Sequence, residues 1–301
     1  MIERTVLITG ANGQVGHELA RTMQGLGRIV ALDRSALDLA DLDAVRNTVR
    51  ELEPAIVINA AGYTAVDQAE SDKDAAFRLN AEAPGALAEE CAKLGALLIH
   101  YSTDYVFDGE KKDPYEERDA PNPKNVYGAS KLAGEQAVIA AGGPHLIFRT
   151  SWVYGARGKN FVNTMLRLGA ERDELRVVAD QIGAPTWSNT IATSTAHVVA
   201  SGLNAPEADY WNQRSGVYHL TASGAASWYD LACATFEIAM GGAAPRVVPI
   251  EAKAYPTPAR RPLNSQMSNE ALAKRFGVRQ PHWRTALELC LSRGGGVVRS
   301  S

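Results

Sequence analysis

The sequence predicts an α/β protein built on a doubly wound parallel sheet, joined to a smaller, discontinuous region. Three observations predict this. Short, nearly continuous apolar runs recur in the first half of the chain: Thr5–Thr9, Ile29–Leu32, Ala55–Asn59, Ala96–His100 and His145–Arg149. Stretches with helical spacing separate them, such as Gly13–Leu26 and Ala75–Leu94. Glycine-rich or polar residues follow each run. Strands that are apolar without alternation are buried on both faces, as in a parallel sheet covered by crossover helices. Ligands of such sheets sit outside the carboxyl ends of the strands, so functional residues are sought directly after each run.

The 301 residues suffice for one large domain or two modest ones. Apolar residues make up 46% and charged residues 22%, as in ordinary globular chains. A net charge of -3 supplies no basic field for nucleic acid. No apolar run approaches the roughly 20 residues that cross a bilayer, and no basic-flanked apolar leader precedes Thr5. A cytoplasmic protein is expected. Cys91, Cys233 and Cys290 lie far apart and match neither a disulfide framework nor a metal site, so they read as reduced thiols.

After the first run comes Gly10-Ala11-Asn12-Gly13-Gln14-Val15-Gly16, a G-x-x-G-x-x-G turn that opens a helix. Gly10 permits the turn, Gly13 lets backbone approach a pyrophosphate, and Gly16 lets the helix pack close to the strand. The sheet is therefore of the Rossmann type. The second run ends at Asp33, where an acid can accept a hydrogen bond from the ribose 2′-hydroxyl and favour NADH; the adjacent Arg34 suits a 2′-phosphate and favours NADPH. A solvated acid–base pair is the plainer reading of these two residues. Asp38-Leu39 follows, placed to meet the adenine.

Tyr127-Gly128-Ala129-Ser130-Lys131 has the form Y-x-x-x-K. Residues four apart share one face of a helix, and a nearby ammonium favours a phenolate. The pair is then suited to protonate a carbonyl oxygen. The pattern is common by itself and gains meaning from Ser102-Thr103-Asp104 after the fourth run, where a hydroxyl is placed to bond the same oxygen.

These segments resemble the extended short-chain dehydrogenases, and within them the dTDP-4-dehydrorhamnose reductase family. The resemblance rests on Asn59-Ala60-Ala61-Gly62-Tyr63-Thr64-Ala65-Val66-Asp67-Gln68-Ala69-Glu70, the run Ser102 to Gly109, and Tyr127 to Lys131. It continues in Arg149-Thr150-Ser151-Trp152-Val153-Tyr154, Asp180-Gln181-Ile182-Gly183-Ala184-Pro185-Thr186 and Arg261-Pro262-Leu263-Asn264-Ser265, in order over nearly the whole chain. It implies NADPH- or NADH-dependent reduction of the C4 keto group of dTDP-4-dehydro-L-rhamnose, in nucleotide-sugar biosynthesis for cell-surface polysaccharide. Tyr127 is then the proton donor, Lys131 its electrostatic partner, and Thr103 the residue that tunes the tyrosine and binds the keto oxygen. Gly10, Gly13, Gln14, Val15, Gly16, Asp33, Arg34, Asp38, Leu39, Gly62, Tyr63 and Thr64 are expected on the cofactor, together with Tyr127 and Lys131, the lysine on the nicotinamide ribose. Asp104, Trp152 and Asn160 are implied on the sugar nucleotide, with core packing as the alternative for Trp152.

Some members of the family form dimers through acidic residues that bind Mg²⁺. Glu18 matches one such acid, but Trp187-Ser188-Asn189 supplies no carboxylate. A hard cation needs oxygen ligands, typically including carboxylates, so a metal-bridged dimer is not expected, and the chain reads as a monomer or homodimer. Two alternatives remain at this stage: another sugar-nucleotide epimerase or reductase of the superfamily, and a non-catalytic dinucleotide-binding subunit like the regulatory one of methionine adenosyltransferase. Tyr105 after Asp104 argues against a dehydratase, because those relatives carry Asp-Glu after the threonine.

Residues 1–150 are read as the dinucleotide-binding domain, rejoined by a strand near 216–222. Residues 151–215 and 223–301 are read mainly as the substrate-binding region, with a frayed tail from Gly294 to Ser301.

Overall fold

The computed structural model describes residues 4–292 except 206 and 208; the tail expected to fray lies outside the described residues. Six parallel strands form the central sheet: β1 (Thr5–Thr9), β2 (Arg28–Leu32), β3 (Ile56–Asn59), β4 (Leu97–Thr103), β5 (His145–Thr150) and β6 (Gly216–His219). Their order is β6-β5-β4-β3-β1-β2, and every pairing is parallel. The chain runs outward from β1 to β2 and then crosses back to lay β3 on the other side of β1. That reversal leaves a crevice beyond the carboxyl ends of β1 and β3.

Alternate residues of each strand serve opposite faces. Val6, Ile8, Ile56, Ile58 and Ile99 pack against Leu19, Ile191 and Val199, which come from the helices Gln14–Thr22 and Ser188–Leu203. Leu7, Val57, Leu98 and Ile147 face the other way, onto Val45, Val49, Leu87 and Val138 of the helices Leu42–Leu52, Ala83–Leu94 and Val126–Ala140. Each such fully buried side chain stabilises the fold by roughly 1.5–3 kcal/mol.

Three elements depart from the sequence-based expectation. The first helix stops at Thr22, not Leu26: Met23 closes on Leu19, and Gly25 and Gly27 adopt positive φ. The expected helix from Ala75 to Leu94 is interrupted by a π-helical turn, Arg78–Glu82, between the helices Lys73–Phe77 and Ala83–Leu94. The fourth strand runs on to Thr103, carrying the polar Ser102 and Thr103 inside the ladder with β5.

Beyond β5 the chain builds short pairs. Val153–Tyr154 lies beside Thr186–Trp187, Ile182–Gly183 beside Ala226–Ser227, and Glu174–Val178 beside Arg246–Ile250. The helices Phe161–Glu171 and Trp228–Met240 pack on them through Met165, Ala232 and Phe236. A second cluster joins Tyr154, Trp187, Leu231, Trp283 and Leu287.

Candidate active site

The carboxyl ends of β1, β3, β4 and β5 open onto one cleft of about 740 Å³. At the end of β1, Gly10 has φ +72, a region that glycine enters at little cost. A Cβ on it would lie 2.8 Å from the Ala61 backbone nitrogen. The Gly13 amide closes the turn by donating to the Gly10 carbonyl at 2.9 Å. Gly10, Gly13, Gln14 and Val15 line the cleft. The start of the Gln14–Thr22 helix brings a positive dipole end to this turn. Gly16 does not line the cleft; a Cβ there would lie 2.1 Å from the Gly10 carbonyl oxygen, so its smallness serves helix–turn packing. Bare backbone at a helix N-terminus fits a dinucleotide pyrophosphate.

At the end of β2, Arg34, Asp38 and Leu39 line the cleft, and Asp33 does not. The Asp33 carboxylate accepts from the Ser35 amide and hydroxyl, the Ala36 amide and the Asn12 side chain, at 2.6–3.1 Å. These bonds, Ser35 foremost, hold its pKa below the usual range. The expected free acceptor for a ribose hydroxyl is thus engaged in organising its own turn. The exposed Arg34 has its Nε 3.6 Å from Asp38 Oδ2.

After β3, Gly62 and Thr64 line the cleft while Tyr63 does not. The Tyr63 hydroxyl donates to Asp72 Oδ2 at 3.1 Å. The main chain of Tyr63 is pinned by Asn80, whose Oδ1 accepts the Tyr63 amide at 2.8 Å and whose Nδ2 donates to the Tyr63 carbonyl at 3.0 Å. Asn80 is fully buried, comes from the π-helical turn and lines the cleft. Reading residues 75–94 as one continuous helix concealed it.

Thr103 ends β4 and Asp104 follows it. The helix Val126–Ala140 begins with Asn125 accepting the Gly128 amide at 2.7 Å, and a Cβ on Gly128 would lie 2.1 Å from the Tyr105 carbonyl oxygen. Glycine there lets the helix close on the strand end, and Tyr127 and Lys131 reach the same cleft one turn apart. The expected lowering of the phenol by lysine is not what the structure shows. Burial raises Tyr127, and the Thr103 hydroxyl is the group that opposes this. The buried Lys131 donates to the Tyr101 carbonyl at 2.5 Å and lies 3.3 Å from His100 Nε2. Burial lowers Lys131 to about 8. Desolvation prevails at both groups, and Lys131 is turned toward the Tyr101 carbonyl of β4. Asp104 is raised to about 6 by burial, with hydroxyls of Ser265 and Thr103 pulling the other way.

After β5, Trp152 lines the cleft with φ +46, a strained conformation for a bulky residue. Its indole stacks on Trp228 at 3.5 Å between centroids and 2° between planes, and Trp228 donates to Gln181. A Cβ on Gly183 would lie 2.5 Å from the Trp152 ring. Asn160 does not line the cleft. Its Oδ1 caps the Phe161–Glu171 helix by accepting the Asn163 amide at 2.9 Å, and its Nδ2 donates to Gln14 Oε1 at 2.9 Å. Lys159, unremarked in the sequence, lines the cleft instead. Glu18 accepts from Asn189 Nδ2 at 2.8 Å. Among the described residues no cluster of three or more His, Cys, Asp or Glu is placed to hold a metal, and no helix is long and apolar enough to cross a membrane.

A family model described as the RmlD substrate binding domain matches residues 4–295. The dTDP-4-dehydrorhamnose reductase of Burkholderia thailandensis is 53% identical over 292 residues, covering 95% of this chain and 97% of that protein. The Escherichia coli protein of the same name is 44% identical over 295 residues, with 95% and 97% covered. A crystal structure of the Bacillus anthracis dTDP-4-dehydrorhamnose reductase in complex with NADP superposes with a TM-score of 0.89 at 36% identity, covering 97% of this chain and 100% of that one. The chain belongs to the dTDP-4-dehydrorhamnose reductase family of the extended short-chain dehydrogenases.

Proposed function

We propose that the chain reduces the C4 carbonyl of dTDP-4-dehydro-L-rhamnose to give dTDP-L-rhamnose, using NADPH or NADH. One observation carries the reading: the glycine turn after β1 and the group Thr103, Tyr127 and Lys131 open onto the same cleft. The reduced nicotinamide, when bound, supplies the hydride. Gly10, Gly13, Gln14 and Val15 offer backbone to the pyrophosphate, and Arg34, Asp38 and Leu39 border the adenosine side. Tyr127 donates its hydroxyl proton to the carbonyl oxygen, and Thr103 bonds that oxygen as charge develops. Lys131 holds ribose hydroxyls and, as an ammonium, favours the phenolate that remains. Asp104 and Trp152 border the sugar nucleotide, where positioning lowers the barrier.

The same reading assigns cofactor binding to residues 1–150 with β6, and substrate binding to the remainder. It places the protein in the cytoplasm, acting on a small molecule as a monomer or homodimer. The test supplies purified protein with freshly made 4-keto sugar nucleotide and follows the absorbance of each reduced nicotinamide. The expected result is cofactor oxidation matched one-to-one by dTDP-L-rhamnose. Binding of both cofactors without oxidation of either supports the non-catalytic reading instead.

A further inference from the structure

Behind Lys131 lies a buried chain of hydrogen bonds that the proposed chemistry does not use. Thr9 Oγ1 donates to Asn59 Oδ1 at 2.7 Å, and the Ala61 amide donates to the same oxygen at 3.3 Å. Two donors on Oδ1 fix the orientation of the Asn59 amide, so its Nδ2 donates to His100 Nδ1 at 3.1 Å. His100 has no solvent exposure, and burial together with the Lys131 charge lowers its pKa well below the ordinary imidazole value, so the ring is neutral. A neutral ring with its lone pair on Nδ1 carries its proton on Nε2. That N–H points at Lys131 Nζ, 3.3 Å away.

We infer that His100 is a positioning residue that acts through Lys131: its tautomer, locked by Thr9 and Asn59, presents an N–H donor to Nζ and favours the neutral amine over the ammonium. The inference rests on the proposed role of Lys131. The other charged or titratable groups around Lys131 do not set this balance alone. Glu135, one turn along the same helix, favours the ammonium, but its carboxylate is bound by Arg149 at 2.6 and 2.9 Å and by Ser102 at 2.5 Å. Asp104 and Tyr105, beyond the end of β4, act on the phenol of Tyr127. Tyr127 itself, one turn back, presents a neutral hydroxyl, and the Tyr101 carbonyl accepts from Nζ. His100 is the group on β4 that opposes the ammonium. It thereby limits the alkaline side of activity, since only the ammonium form favours the phenolate and binds ribose with a full charge.

Two measurements test this. Nitrogen shifts of histidine in ¹⁵N-labelled wild-type protein report the tautomer without any turnover. The expected pattern is a protonated Nε2 and an unprotonated Nδ1 at His100, assigned against His100→Gln. A protonated Nδ1 overturns the inference whether or not the protein is a reductase. The second is the pH profile of kcat/KM for wild type, Asn59→Asp and His100→Gln. Aspartate at 59 accepts from Nδ1, reverses the tautomer and offers Nε2 as an acceptor to the ammonium. The alkaline limb is expected to move up by roughly one pH unit or more in Asn59→Asp, and in the same direction in His100→Gln, whose carbonyl accepts from Nζ. If either folded, cofactor-binding variant keeps the wild-type limb while its kcat falls, His100 is only structural. If Asn59→Asp does not fold, the His100→Gln limb and the wild-type tautomer still decide the matter.

Discussion

The two walls of the cleft are made differently. The sheet wall is a set of strand ends, those of β1, β3, β4 and β5 held on both sides by parallel neighbours and that of the edge strand β2 on one. Its functional groups come from those ends and from the helix Val126–Ala140 packed against them. The opposite wall hangs on two-residue strands and a stack of two indoles, Trp152 on Trp228. The first wall is rigid because its positions are set by buried ladders. The second depends on a few contacts between residues 76 apart in sequence, with backbone strain at Trp152 held in place by that packing. Chemistry is expected to fail when the first wall is altered, and substrate recognition when the second is.

Tyr127→Phe breaks the comparison hardest. It keeps the ring and removes the proton donor, so kcat is expected to fall by about 10²–10⁴-fold while cofactor affinity, followed by nucleotide fluorescence, stays near wild type. A loss of cofactor binding equal to the loss of turnover means that Tyr127 acts through structure.

Asp104 sharpens it through stability. Its pKa is raised to about 6 from the ordinary 3.8, so the folded state favours the protonated form. The stability of the protonated carboxyl is fully present below about pH 4 and is lost as pH rises through about 6. Asp104→Asn removes the buried charge. The variant should gain up to about 3 kcal/mol over wild type at pH 8, with no gain at pH 4. Urea unfolding at both pH values checks this; an equal effect at both means that burial of the charge is not the cause.

On the other wall, Trp152→Ala should raise KM for the sugar nucleotide by roughly tenfold and leave cofactor affinity unchanged. A fall in kcat alone erases the proposed division between the walls. The smallest effect belongs to Asp33→Ala. Its carboxylate is already bound by Ser35, Ala36 and Asn12, so the ratio of kcat/KM for NADPH over NADH should rise only about two- to fivefold. A hundredfold change means that Asp33 reads the ribose directly after all.

Legibility in the sequence followed the same boundary. β1 to β5 were visible because parallel strands buried on both faces leave continuous apolar runs, and the residues after them were found by looking there. Glycine motifs were legible because backbone approach excludes a Cβ, as at Gly10 and Gly16. Side-chain direction was not legible. Tyr63 turns to Asp72, Asn160 caps its own helix and Lys131 turns to Tyr101, none of which spacing encodes. Asn80 was hidden because one π-helical turn shifts the register of an otherwise helical pattern. The second wall was hidden because its short pairs, such as Ile182–Gly183 with Ala226–Ser227, join distant segments.

In the proposed function one cleft delivers hydride to C4 of a 4-keto sugar nucleotide. The direct measurement uses reduced nicotinamide dinucleotide deuterated at its transferable position, with dTDP-4-dehydro-L-rhamnose and purified protein, and reads the product by NMR. One deuterium at C4 of dTDP-L-rhamnose is expected for each cofactor oxidised, as the proposed function requires. Product without deuterium at C4, or cofactor oxidation without that product, contradicts it.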